Sequence, residues 1–156
     1  MDTKTALAVT SGVLIAIWTY ASLQIVTDLS PWVGIAAMGC YFAAGGKMEG
    51  FRKTVFASLS GMVYVWLMMQ LLPRFGGSAL WYAILLGVIA VLIVLLSNMP
   101  QLSFTPGAFV GAAVTVGNGA AADLRHLLFV GISLVIGAAL GLAAETTAAS
   151  LATSRR

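Results

Sequence analysis

The sequence predicts an all-α, polytopic membrane protein with about six transmembrane helices, and three observations support this fold class. Hydrophobic residues make up 60% of the 156 residues and charged residues 8%, against roughly 45–50% and roughly 25% in soluble domains. The mean hydropathy is +1.00, and a soluble fold of this size cannot bury so much apolar surface. The apolar runs are continuous, whereas the strands of a membrane β-barrel alternate polar and apolar residues. The composition excludes a soluble enzyme, a nucleic-acid-binding domain and a disordered chain.

The first half of the chain contains three predicted spans. The first covers about residues 5–26. The second covers about 32–46, and it is short and rich in glycine. Four charged residues within 47–53 predict a turn before the third span, 54–72, which Pro73 ends.

The second half contains three more predicted spans, and no polar stretch is long enough for a separate domain, so residues 1–156 form one membrane domain. Residues 79–96 carry no charge. The fifth span, about 104–119, is again short and glycine-rich. A second charged turn at 123–126 precedes the sixth span, 127–144, and Glu145 begins a predicted polar tail.

The two halves, residues 5–72 and 79–147, resemble each other in the order of long, short and long spans. Trp-Val-Gly-Ile-Ala-Ala at 32–37 parallels Phe-Val-Gly-Ala-Ala-Val at 109–114. Because each half has an odd number of spans, a true repeat would be inverted, as in many secondary transporters. The alternative is chance similarity between segments rich in glycine and alanine.

The distribution of lysine and arginine predicts that both termini face the cytoplasm. With the N-terminus inside, the cytoplasmic segments hold six of these residues, including Arg155 and Arg156. The opposite side holds only Arg74 and Arg125. An excess of positive charge marks cytoplasmic loops.

Three stretches resemble a known family: residues 32–43, Leu-Ser-Gly at 59–61, and above all Leu-Ser-Phe-Thr-Pro-Gly-Ala-Phe-Val-Gly at 102–111. They are similar to the YcdZ-like bacterial inner-membrane proteins, and the similarity extends from the first span to the sixth. The resemblance implies a location in the bacterial inner membrane. It implies no particular activity.

The short second and fifth spans are the best candidates for a transport site. Proline and glycine leave backbone groups unpaired, which a membrane tolerates only where protein or a water-filled cavity receives them. We expect these spans to meet near the bilayer midplane and to line a path for a solute. The predicted wall residues are Tyr41, Phe42, Phe104, Thr105, Phe109, Gly111, Thr115 and Asn118.

Small residues at helical spacing have a competing interpretation, which is close packing between helices. Gly111, Thr115 and Asn118 share one face of the fifth span. On the sixth span, one face carries Ser133, Gly137, Gly141 and Glu145. The packing account predicts that added bulk at Gly111 disrupts the bundle, whereas the path account predicts reduced flux in a folded protein.

Charged and reactive residues are few. No acidic residue lies in the middle of a span, which argues against a buried carboxylate relay; Glu49 and Asp123 are possible charged gates. Cys40 and His126 are the only residues of their types, so no metal site of Cys and His is expected in one chain. No nucleophile lies beside a base, so we expect neither an enzyme nor a cofactor.

The favoured function is a membrane channel or facilitator for a small, polar, mostly uncharged solute such as urea or an amide. The alternatives are an ion-coupled small-molecule transporter and a non-transporting membrane scaffold or subunit. Beyond the lipid bilayer and the solute, the expected partner is a second copy of the chain, because Gly107 and Gly111, and Gly137 and Gly141, have the spacing of helix-association faces. A trimer is the first expectation and a dimer the second.

Overall fold

A computed structural model describes residues 2–119 and 123–153, and all regular secondary structure within them is helical. The all-α fold class is confirmed. The helices are α1 (Thr3–Gln24), α2 (Pro31–Ala43), α3 (Lys47–Leu71), α4 (Ala79–Leu96), α5 (Thr105–Gly117) and α6 (Leu124–Thr153). Two 3-10 turns, Leu72–Phe75 and Pro100–Leu102, follow α3 and precede α5.

Four of these helices, α1, α3, α4 and α6, are long and apolar enough to cross a membrane. The other two, α2 and α5, have 13 residues each. Thirteen residues rise about 20 Å, which is less than the roughly 30 Å hydrocarbon core of a bilayer. The molecule is therefore a helical membrane protein in which two short helices accompany four long ones.

The predicted charged turn at 47–53 is wrong, because α3 begins at Lys47. The reversal of the chain lies just before it, where Gly45, Gly46 and Lys47 have φ angles of 96°, 67° and 56°. Glycine adopts this left-handed conformation without a steric penalty. Charged residues 47–53 then fit a helix, because Glu49 and Lys53 form an i, i+4 ion pair of 2.7 Å.

The sixth helix is longer at both ends than the predicted span, 127–144. Arg125 and His126 belong to its first turn, and the predicted polar tail after Glu145 is helical to Thr153. Alanine favours a helix. The hydroxyls of Thr146 and Ser150 donate hydrogen bonds to backbone carbonyls one turn earlier in α6. The predicted cytoplasmic arginines 155 and 156 lie outside the described residues.

The centre of the bundle is formed by α3 and α6, and each carries one short helix. The most extensive contacts join α3 to α5 and α2 to α6. The buried side chains of Val33, Ala37, Val114 and Leu134 bring α2, α5 and α6 into one hydrophobic cluster. By contrast, α4 is peripheral, and Ile89 and Ile93 are its buried residues.

Close approaches of backbone to backbone explain several glycines in these contacts. A methyl group on Gly137 would overlap the Gly34 carbonyl, and one on Gly61 would overlap the Ala108 carbonyl. One on Gly111 would overlap the Ser58 carbonyl. The pairs α2–α6 and α3–α5 are thus held together through small residues, as in close packing of membrane helices.

Candidate functional site

Hydrogen bonds between neutral side chains gather at one end of the bundle, which we call the Ser30 end. Asn118 Nδ2 donates to Ser30 Oγ at 2.6 Å. The Ser30 backbone N–H donates to Ser133 Oγ at 3.1 Å, and Ser133 donates to the Phe129 carbonyl. Ser30 precedes α2 and Asn118 ends α5, so both sit where helix ends leave backbone groups in need of partners. We refer to Ser30, Asn118 and Ser133 as the polar trio.

A cavity of about 360 Å³ adjoins the trio at Ser30. Arg125 crosses its wall to pair with Asp28 at 2.8 Å and lies 5.8 Å from the centre of the Phe129 ring. The two partners are largely exposed, so this pair contributes little to stability. The cavity is lined by Thr27, Asp28, Leu29, Ser30, Asp123, Arg125, His126 and Phe129. The cavity therefore offers charges of both signs together with neutral hydrogen-bonding groups.

The opposite end, which we call the Glu145 end, is built around one carboxylate. Glu145 on α6 accepts hydrogen bonds from the Tyr41 hydroxyl and, at 2.8 Å, from the Lys47 backbone N–H. A Cβ on Gly46 would lie 2.7 Å from Glu145 Oε2. The absence of a side chain at Gly46 leaves room for the carboxylate, which anchors the left-handed turn between α2 and α3 through the Lys47 N–H.

Between the two ends, the contact of α2 with α6 is tight and mostly apolar. Gly34 meets Gly137, and Gly141 lies against the Tyr41 ring. The structure thus places the Ser133, Gly137, Gly141 and Glu145 face of α6 against α2. Polar groups lie at each end of this contact, with a closed segment between them.

The predicted wall residues do not form one surface. Tyr41 is fully buried at the Glu145 end and Asn118 belongs to the polar trio. Thr115 is buried and donates to the Gly111 carbonyl at 2.8 Å.

The remaining predicted wall residues lie elsewhere. Gly111 is in the α3–α5 contact, which favours the packing interpretation of this residue. Phe104 and Thr105 are half-buried at the start of α5. Phe42 and Phe109 are exposed on the outer surface, and Phe109 borders an apolar groove between α4 and α5.

The two possible gate residues lie at opposite ends of the bundle, and both are exposed. Asp123 lines the cavity at the Ser30 end. Glu49 lines a separate cavity at the Glu145 end and pairs with Lys53. Among the residues that the structure describes, no three His, Cys, Asp or Glu side chains are grouped as a metal site would require.

Sequence reasoning missed Ser30 and Glu145 as site residues. The sequence placed Ser30 in a loop before Pro31, and it placed Glu145 at the start of a polar tail. The i, i+4 spacing from Ser133 to Glu145 was the available signal, because it predicts one shared face. The contacts of that face join residues about a hundred positions apart, which no local pattern encodes.

Comparison with known proteins adds the family. A family model described as "Protein of unknown function (DUF1097)" matches residues 8–149. The chain belongs to this family. The chain is 31% identical to the inner membrane protein YcdZ of Salmonella typhimurium over 163 aligned positions. The alignment covers 99% of this chain and 93% of the relative.

Two Escherichia coli relatives are also similar. YcdZ, again named an inner membrane protein, is 30% identical over 74% of this chain and 70% of its own length. The uncharacterized protein YahC is 28% identical over 76% of this chain and 78% of its own length. No solved structure matches the chain significantly. The predicted YcdZ-like family is confirmed.

Proposed function

We propose that this DUF1097 protein is a channel or facilitator of the bacterial inner membrane for a small, polar, mostly uncharged solute of the urea or amide class. The observation that carries the proposal is the polar cavity that adjoins the trio of Ser30, Asn118 and Ser133. The names of the YcdZ relatives support the inner membrane as the location.

The trio has the hydrogen-bonding chemistry that an amide requires. Ser30 Oγ accepts a hydrogen bond from the Asn118 carboxamide, and a solute amide offers the same donors and acceptor. No formal charge belongs to the trio, and a path of weak dipoles cannot replace the hydration shell of an ion. A neutral solute can exchange its bonds with water for bonds with these groups.

Passage requires movement, because Gly34 and Gly137 close the α2–α6 contact. The turn at Gly45 and Gly46, with its left-handed glycines, is a suitable hinge for α2. An inverted 3+3 arrangement supports such a movement. In such an arrangement, α2 is equivalent to α5, and α3 is equivalent to α6. The contact between α2 and α6 then corresponds to the contact between α5 and α3. All six helices would count as membrane spans.

The second candidate is an ion-coupled transporter, and Glu145 favours it. A glutamate that accepts two hydrogen bonds at the end of a short helix is a suitable coupling group. Under this alternative, uptake depends on a proton gradient and Glu145→Gln abolishes the dependence. Under the channel proposal, flux follows the solute gradient alone.

The proposal includes an assembly and an orientation. The protein is a homo-oligomer, with a trimer preferred to a dimer, and both termini lie in the cytoplasm. The Ser30 end then faces the periplasm. A monodisperse monomer in mild detergent and in nanodiscs would contradict the assembly.

Reconstitution tests the function. Proteoliposomes are mixed with urea, acetamide or glycerol at higher concentration outside than inside, and the shrinkage and re-swelling that follow are recorded by light scattering. Faster equilibration of at least one solute than in protein-free liposomes supports the proposal, and equal rates for all three contradict it.

A labelling control locates the path. In a Cys40→Ala background, a bulky thiol reagent on Asp123→Cys should lower the flux, because Asp123 lines the cavity. The same reagent on Leu124→Cys should not, since Leu124 is exposed and lies outside the lining. Equal effects at both positions would place the path elsewhere.

A further inference from the structure

A second cavity, of about 530 Å³, lies at the Glu145 end, where the start of α3 faces the 3-10 turn before α5. It is lined by Glu49, Arg52, Lys53, Phe56, Pro100 and Gln101. None of these residues belongs to the polar trio or to the cavity beside it. The second cavity therefore calls for its own explanation.

The charge of this lining is positive. Lys53 Nζ pairs with Glu49 Oε1 at 2.7 Å, so one cation and the anion offset each other. Arg52 is exposed, and among the described residues it has no carboxylate within ion-pair distance. The cavity at the Ser30 end differs, because its lining holds two carboxylates, Asp28 and Asp123, beside Arg125.

The lining lies near one end of α3, within reach of the headgroup layer of a bilayer. Together with its 3-10 extension, α3 has 29 residues and rises about 43 Å, so its ends extend beyond the roughly 30 Å hydrocarbon core. Arg52 and Lys53 lie in the second turn of α3, close to the edge of the hydrocarbon core, and their long side chains can extend outward to the lipid phosphates. Phe56 lies one turn deeper and is 54% exposed, so it faces the acyl chains.

We infer that this cavity binds the headgroup of an anionic phospholipid. The Arg52 guanidinium holds the phosphate in a two-pronged contact, and an acyl chain runs along Phe56 and Pro100. An arginine fork matches phosphate geometry, and basic pockets beside membrane helices recognise anionic lipids. The apolar Phe56 and Pro100 favour a lipid over free phosphate, which gains nothing from them.

The test uses the purified full chain in zwitterionic detergent. Binding of phosphatidylglycerol, phosphatidylcholine and inorganic phosphate is measured by native mass spectrometry and by the shift in melting temperature. We expect phosphatidylglycerol to bind and to raise the melting temperature, with phosphatidylcholine and phosphate having little effect. No preference for phosphatidylglycerol over phosphatidylcholine would overturn the inference, as would equal binding of inorganic phosphate.

Matched variants locate the site. Arg52→Gln should weaken phosphatidylglycerol binding about fivefold. Because Arg52 is exposed and has no ion-pair partner among the described residues, the variant should melt like the wild type without lipid. Phe56→Ala should weaken lipid binding as well. Arg74→Gln, in the exposed 3-10 turn after α3, is the control and should bind normally. If Arg52→Gln binds like the wild type, or Arg74→Gln loses as much, the inference is wrong.

Discussion

The hydroxyl of Tyr41 donates a hydrogen bond to Glu145, and this contact joins the end of α2 to α6. The Tyr41 side chain is fully buried, and the same carboxylate accepts from the Lys47 backbone N–H. One side chain on α6 therefore restrains both the end of α2 and the start of α3. The turn between them, with its left-handed backbone, depends on that restraint.

Substitution of Glu145 by alanine should destabilise the protein, because the Tyr41 hydroxyl and the Lys47 N–H would both lose their acceptor. Hydrogen bonds to charged groups are each worth about 1.5–3 kcal/mol, so a clear fall in melting temperature is expected. Thr146→Ala is the control, since Thr146 is exposed and its hydroxyl donates to carbonyls of its own helix. Equal melting temperatures for the two variants would show that Glu145 restrains nothing.

Gly111 provides a test of helix packing. A Cβ at this position would overlap the Ser58 carbonyl, whereas one on Gly87 in α4 would have no neighbour within 4 Å. Gly111→Ala should therefore cost about 2 kcal/mol of stability through overpacking, and Gly87→Ala should be neutral or better. Thermal unfolding and gel filtration of both variants measure this. A well-folded Gly111→Ala protein with reduced flux would restore the path interpretation of Gly111.

The sequence predicted the helices well where apolar runs meet strong breakers. The uncharged run at 79–96 begins and ends at the same residues as α4. The prediction of a turn at 47–53 was wrong, because a cluster of charged residues is compatible with an exposed helix end as well as with a turn. The turn depended instead on Gly45 and Gly46, whose left-handed backbone becomes evident only in three dimensions.

Site residues were predictable where helical spacing defines a face, and not where a contact joins distant segments. Ser133, Gly137, Gly141 and Glu145 follow a period that anticipates a shared partner. Nothing in the period identifies α2 as that partner. Asn118 and Ser30 are 88 residues apart, and only the packing of the short helices brings them together.

Thiol labelling tests the proposed orientation. In a Cys40→Ala background, an impermeant reagent added to spheroplasts should label Asp123→Cys and not Glu49→Cys, because these exposed residues lie at opposite ends of the bundle. Disrupted membranes should allow labelling of both. Labelling of Glu49→Cys alone in intact spheroplasts would reverse the orientation.

Asn118 gives the sharpest test of the solute path. Its carboxamide donates to Ser30 Oγ at 2.6 Å, and the backbone N–H of Ser30 donates to Ser133 Oγ. Asn118→Leu keeps the number and branching of the side-chain heavy atoms but removes every hydrogen-bonding group of the side chain. A solute that sheds water at this point would then find one partner fewer. An unmade hydrogen bond costs about 1–3 kcal/mol, so we expect flux of the transported amide to fall about tenfold.

The matched control is Asn98→Leu, because Asn98 is exposed and its side chain donates to the Leu95 carbonyl of the preceding turn. Both variants are reconstituted at equal density, and their melting temperatures are compared with the wild type. Loss of flux in Asn118→Leu alone, with folding retained, supports a path through the polar trio. Flux that survives in a folded Asn118→Leu protein means that the Ser30–Asn118 bond only braces the ends of α2 and α5, and that the solute takes another route.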